Sequence, residues 1–577
     1  MPSVEEPLPG HWSFGVWPQL LPDLAERIVG CLDRNDIAAT FRRVDKATAE
    51  HFSGPQHTTI HLSQPVPPHA FAVHWLAPGA TRGLNLERRA RLVELTAASG
   101  ALSNLKVAVR AAGILPTSPP SDFEPRFRAF NRAFEAAARA GQLATCQWLW
   151  DSKCLTDDGN VLKGAVVAAA HEGHRHVCEW LLGLGDPLAN IWKAIEAAAG
   201  GGHAGLMEWL LQREADLQAA MGAQGRQGPP TAAQFWGGGG AAGGCDLPTL
   251  QRFWWAYGSP DRTTKCALLA AAASSPTPDW ATKVEWLEAQ GCPRTPKAAG
   301  KVIAMPNDAE ALARLSWLLD RGYPIDEYTL LLAVRGGGTA AVLQYLLAVV
   351  PVGGFYAAHS TVAAAGDGHL EALKALCAAG WPTDVAQRAF QAALGGHVHV
   401  LAWLLEVDGA EAVGLNSHLF KAAAYSGCVE LLAWLREHGC PWDCSAFSGV
   451  AGSGCEAALE WLVEQGCPME DTGEPYVMAC RNGDLAMARC LRRLGVPWGP
   501  ATRVFLRAAE GGFRPAPLPM LLWMLREGCP VDAQAAQRVM EQRPPEAHQE
   551  ADKALRLLLG GHPGGPSRAV GAALAAP

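Results

Sequence analysis

The chain reads as an all-α helical-repeat solenoid, and three observations carry that reading. One phrase is rewritten many times between Phe134 and Asp532, clearest at residues 422–443, AAAYSGCVELLAWLREHGCPWD. Each copy has the same plan: a small-residue helix, a Gly corner, a second helix with a Trp near its end, then Gly-Cys-Pro and an acid. The copies also keep register. Phased on Trp148, Trp180, Trp209, Trp286, Trp317, Trp403, Trp434, Trp461 and Trp523, with Tyr345, Ala375 and Cys490 filling the slot in three units, successive gaps run from 27 to 33 residues, apart from one of 77. A fixed period of this size marks units that cannot bury an apolar face alone and must stack.

Composition fits. At 577 residues the chain exceeds one ordinary core, and 49% hydrophobic against 18% charged content leaves most of it able to fold. The net charge of −8 argues against a partner held by neutralising phosphates, so no nucleic acid is expected. The opening MPSVEEPLPG lacks a basic stretch followed by an apolar one, and no run nears the ~18 apolar residues that span a bilayer. An intracellular, cytoplasmic protein with no membrane partner is expected, the nucleus remaining open.

Residues 1–15 read as a disordered N-terminus. Within 16–54, Leu21-Pro22 opens a helix with Pro in its first turn, where the missing N–H costs nothing. Leu24, Ile28 and Leu32 fall on one face, and a following helix presents Ile37, Phe41 and Val44. Residues 55–90, with Pro65, Pro67 and Pro68, read as a linker. The array occupies 91–534 and opens on a degenerate copy at 92–115. The 77-residue gap holds a Gly-rich insertion at 218–245, expected to be a flexible surface loop. Residues 535–577 read as a C-terminal helix and a disordered tail.

The residues that look most like chemistry recur in register. Cys292, Cys440, Cys467 and Cys529 share the Gly-Cys-Pro position, and equivalent positions of stacked helices lie ~10 Å apart, too far for a disulfide. Structural thiols are expected. His171, His174 and His176, and His397 with His399, suggest metal ligands, yet their place after the corner Gly assigns them to the turn, so no metal is expected. The Trp residues are expected to pack between units. Gly237–Gly240 lacks the Lys-Ser/Thr of a phosphate-binding loop, and no nucleophile motif or paired carboxylates stand out. Neither an enzyme nor a cofactor is expected.

The repeated unit, AAxxGHxxxLxWLxxxGCPWD, resembles a divergent ankyrin repeat over roughly 91–534. It lacks the Thr-Pro-Leu-His opening, which puts the family's β-hairpin fingers in doubt more than its paired helices. Leu21-Pro22-Asp23 with Ile28, Leu32, Asp36 and Val44 resembles an F-box, departing from it at Thr48, where many F-boxes carry Trp. The resemblance implies a substrate adaptor of a cullin-type ubiquitin ligase. Leu21, Pro22, Leu24, Ile28, Leu32 and Val44 would dock a Skp-like subunit, and the array would hold an unknown protein client. The alternative is an ankyrin-like scaffold with no ubiquitin connection, its N-terminal helices capping the stack.

Overall fold

The computed structural model describes residues 24–534 apart from short stretches, the longest at 116–128, 221–235 and 511–515. The segments expected at 1–15 and 535–577 lie outside the described residues. The protein is an all-α helical-repeat solenoid. Among the described residues, β structure is confined to one antiparallel bridge, Ile114 with Asp484.

Among the described residues, fourteen helix pairs stack in sequence order. Unit 1 pairs Leu86–Ala98 with Leu102–Ala112, unit 2 Ala129–Arg139 with Leu143–Asp151, unit 3 Gly159–His171 with Arg175–Leu182, and unit 4 Pro187–Gly200 with Ala204–Ala220. Unit 5 pairs Gly240–Gly244 with Leu247–Tyr257, unit 6 Arg262–Ala273 with Trp280–Ala289, unit 7 Lys297–Val302 with Asp308–Asp320, unit 8 Glu327–Arg335 with Ala340–Val349, and unit 9 Ala357–Gly366 with Leu370–Ala378. Unit 10 pairs Val385–Gly395 with Val398–Val413, unit 11 Ser417–Ser426 with Val429–Glu437, unit 12 Ser445–Ser453 with Glu456–Glu464, unit 13 Glu474–Arg481 with Leu485–Arg493, and unit 14 Arg503–Glu510 with Leu518–Arg526.

The phrase explains the curvature. First helices carry runs such as Ala422, Ala423 and Ala424, all buried, so neighbouring first helices approach closely along the whole stack. Second helices carry Leu and Trp and touch their neighbours more sparsely. A stack that is narrow on one side and broad on the other bends toward its narrow side, which puts the first helices on the inner surface. The bend also leaves the Trp slots part-open: Trp148, Trp180, Trp286, Trp403 and Trp434 pack against the core but are only partly buried.

The second helices of units 6, 7, 9 and 11 to 14 close on a left-handed glycine. Gly439 has φ +74°, its N–H bonds the Arg436 carbonyl, and the Cys440 N–H reaches the Leu435 carbonyl at 2.9 Å. Cys440 is fully buried behind that turn, and burial pushes its thiol up to about 11. Burial likewise pushes Cys292, Cys467 and Cys529 up to about 12. These positions are packing sites, and no described cysteine is in a disulfide.

The Gly-rich insertion requires a correction. Over residues 239–245 the chain is not a surface loop. Gly240–Gly244 is the first helix of unit 5, with Ala241, Ala242 and Cys245 buried. A Cβ on Gly240 would stand 2.2 Å from the Glu196 carbonyl oxygen, and one on Gly244 2.2 Å from that of Ala199. Units 4 and 5 meet backbone to backbone there, which only glycine permits. Fully buried Lys283 then donates to the carbonyls of Ala242 (2.9 Å) and Cys245 (2.8 Å) and to Ser275 Oγ (2.7 Å).

The stack also returns on itself. Unit 1 packs along unit 2, while its opposite edge meets the corners of units 11 to 13. The Ala457 N–H bonds the Arg82 carbonyl (3.0 Å), the Leu115 N–H bonds that of Gly483 (2.8 Å), and Asn85 Nδ2 donates to that of Ser426 (3.2 Å). At the centre Arg89 and Asp484, both fully buried, form a bidentate ion pair, with Nη1 to Oδ1 at 3.0 Å. Arg89 also donates to the carbonyls of Ala112 and Gly454. Burial opposes its charge, but the Asp484 carboxylate more than offsets this and holds the guanidinium above its ordinary value.

Candidate functional site

The N-terminal segment is built on unit 1. Helix Arg34–Ala39 buries Asn35, whose Nδ2 donates to the carbonyls of His61 (2.9 Å), Gln64 (3.2 Å) and Pro65 (3.0 Å), while Oδ1 accepts from the His61 N–H (2.8 Å). Buried Val66 and Phe71 pack with Leu92 and Ala108 of unit 1, and Asn104 Nδ2 donates to the Val66 carbonyl at 2.7 Å. The stretch expected as a linker thus carries helix Pro68–Trp75 and seats the N-terminal helices on the stack.

Of the six predicted docking residues, Leu21, Pro22 and Ile28 lie outside the described residues. Leu24, Leu32 and Val44 are exposed, at 43%, 41% and 72%. Val44 does not share the apolar face of Ile37, because that helix stops at Thr40 and a 3₁₀ turn, Phe41–Arg43, turns the chain off its register. The local core is instead Val29, Ile37 and Phe52. Exposed Ile60, Val73 and Leu76 extend the apolar surface, and Ile60 edges a cavity of ≈ 350 Å³ floored by Val66, Phe71 and Trp75, with Arg43 and His74 as its charged or titratable lining. Sequence reading missed this groove because its walls come from segments on both sides of three prolines.

The His motifs are inter-unit staples. His174 Nε2 donates to the Arg139 carbonyl (2.9 Å) and His176 Nε2 to that of Gly141 (3.0 Å), so one H-x-H ties the corner of unit 3 to unit 2. His397 and His399 repeat this between units 10 and 9, on the carbonyls of Gly366 and Gly368 (both 3.0 Å). Burial lowers the His397 pKa, favouring the neutral ring. These carbonyls close the first helices, so donors there also meet the negative end of the helix dipole. Among the described residues, no three His, Cys, Asp or Glu side chains converge as metal ligands.

Charge is segregated across the solenoid. The first helices of units 7 to 11 hold five cations (Lys297, Lys301, Arg335, Arg388, Lys421) and one anion (Glu327). The second helices of the same units hold three cations and nine anions. The first helices of these units are thus net basic in an acidic chain, although Arg388 is buried and Asp326 and Asp384 cap two of them.

No family model matches the chain, and no curated protein does. Among solved structures, a pentatricopeptide repeat protein from maize aligns over 92% of this chain and 82% of its own, at 13% identity and a TM-score of 0.24. A structure of a pentatricopeptide repeat protein in complex with an 18-nucleotide RNA element aligns over 88% and 94%, at 14% identity and a TM-score of 0.21. The expected exclusion of nucleic acid is corrected accordingly: a protein among these structures is held on RNA, and the net charge behind the exclusion averages two faces of opposite sign. Among the described residues, no helix is long and apolar enough to cross a membrane.

Proposed function

We propose that the chain is a non-enzymatic scaffold acting inside the cell, in which the solenoid holds one macromolecule and the N-terminal segment docks a protein. One observation carries the docking half. Six of the thirteen large apolar side chains exposed among the described residues fall within residues 24–76, a clustering typical of interaction surfaces. In the F-box reading, Leu24, Leu32 and Val44 face a Skp-like subunit and the protein is an adaptor of a cullin-type ubiquitin ligase. Paired helices joined by Gly corners support an ankyrin-type unit; the closed turn and the lack of β fingers among the described residues speak for a divergent one.

A second reading has its own observation. The packing of Val66 and Phe71 on unit 1 makes the segment an end cap, which needs no ligase. Capture of the full chain by an immobilised Skp-type subunit separates the two. The adaptor reading expects binding that falls at least about tenfold in Leu32→Asp and Val44→Asp, a loss of ~1.4 kcal/mol. Both side chains are exposed, so folding should survive. No capture, or capture indifferent to both changes, leaves the cap.

A further inference from the structure

The inner surface of units 7 to 11 has two properties beyond its charge. Tyr328, His359, Gln387 and His418 each lie nine residues before the corner glycine of their unit (Gly337, Gly368, Gly396, Gly427). Equal offsets in stacked units align them in one row, one side chain per unit, and all four are exposed. Rings of the row already contact neighbouring aromatics: Phe390 stacks on His418 (centroids 5.1 Å, planes 15° apart), Tyr328 meets Tyr356 tilted (5.3 Å), and Tyr356 meets His359 edge-on (6.2 Å). Flanking them, Lys297, Lys301 and Arg335 are exposed and Lys421 half-exposed, while Arg388 is buried. The acids beside the row are engaged with backbone: Glu327 accepts the Tyr356 N–H (3.1 Å), and Asp326 and Asp384 cap their helices by accepting the N–H groups of Thr329 and Gln387 (both 3.0 Å).

We propose that this surface binds a single-stranded polynucleotide, its phosphates on Lys297, Lys301, Arg335 and Lys421 and its bases against the row from Tyr328 to His418. Cations alone would serve any polyanion. Flat rings set one unit apart serve bases, because every base has a face to stack while a carboxylate has none. Gln387 adds an amide that can both donate to and accept from a base edge. A duplex hides its base faces and is excluded from the row. The proposal is independent of the N-terminal docking surface, since it uses no residue before unit 7.

The test is fluorescence anisotropy of the full chain with labelled single-stranded RNA and DNA of mixed sequence, a duplex of the same length, and a polyglutamate peptide. Single strands should bind, more weakly as salt rises, and better than the duplex. Lys297→Gln/Lys301→Gln/Arg335→Gln should weaken binding by about tenfold or more and flatten its salt dependence. Tyr328→Ala and His418→Ala should each weaken it about five- to a hundredfold. Lys374→Glu, on the second helix of unit 9, should leave it unchanged. All are surface changes, and an unaltered melting curve certifies the fold of each. No binding, equal affinity for the duplex, or binding indifferent to the triple change overturns the proposal. Tighter capture of polyglutamate than of single strands also overturns it and assigns the surface to an acidic protein segment.

Discussion

Two corners of the stack occupy the same place in the repeat and do opposite things. At unit 10 the corner is Gly396-His397, and His397 donates back to the Gly366 carbonyl of unit 9. At unit 13 it is Gly483-Asp484, an acid that can donate to no carbonyl. Asp484 instead accepts from the Met487 N–H, capping its own second helix, and takes the buried guanidinium of Arg89 from unit 1. Arg89 donates in turn to the Gly454 carbonyl beside it. The His corner makes a solenoid that could extend indefinitely; the Asp corner supplies the site where its beginning seats. One substitution in a repeated phrase marks where the turn closes.

The largest expected effect comes from breaking the exceptional corner. Asp484→Leu leaves a buried, unpaired arginine and should cost about 3–5 kcal/mol in urea unfolding. Hydrogen exchange should then rise across residues 82–115, where unit 1 bonds units 11 to 13. Gly454→Ala attacks the same seat. Its φ is +76°, and a Cβ would stand 2.7 Å from both Arg89 Nη2 and Asp484 Oδ2, so a loss of about 2 kcal/mol or more is expected by the same measurement.

Lys283 is a staple of the regular kind, made by a cation where unit 3 uses His174. Lys283→Met should cost about 1–3 kcal/mol by orphaning the carbonyls it bonds, and should loosen units 5 and 6 while sparing the closure. Smaller still, His397→Ala should cost about 1 kcal/mol, since its ring is only partly buried.

Titration sharpens the comparison along the whole stack. Burial raises the thiols of Cys146, Cys178, Cys292, Cys467 and Cys529 from 9.0 to about 12. A raised folded pKa gives stability that is fully present below pH ~9 and lost as pH rises toward 12, because the unfolded chain releases these protons first. Lys283, lowered by burial to about 8, acts with the opposite sign but is one group against several. Urea midpoints should therefore fall steadily above pH 9, and a midpoint that holds or rises to pH 11 would show that these thiols are exposed.

The repeat was legible because its evidence is local. Gly439 and Cys440 close a helix through bonds within one turn, and the recurrence of His174 and His397 marked them as architecture. The first helix of unit 5 was not legible, since Gly240–Gly244 has the composition of a loop and is helical where units 4 and 6 press on it. Val44 failed for a smaller reason, a 3₁₀ turn that helical spacing cannot foresee. The closure was invisible, because Arg89 and Asp484 are 395 residues apart and neither stands in a motif. The net basic first helices of units 7 to 11 were hidden by averaging, their charge cancelled in the total by the acids of the second helices.

A double-mutant cycle on Arg89→Met and Asp484→Leu tests the closed turn most directly. If the turn closes as described, the two single changes are each costly and the double change costs far less than their sum, with a coupling of about 2–3 kcal/mol. Additivity to within about 0.5 kcal/mol would mean that the two residues do not meet, and the closed turn would be refuted.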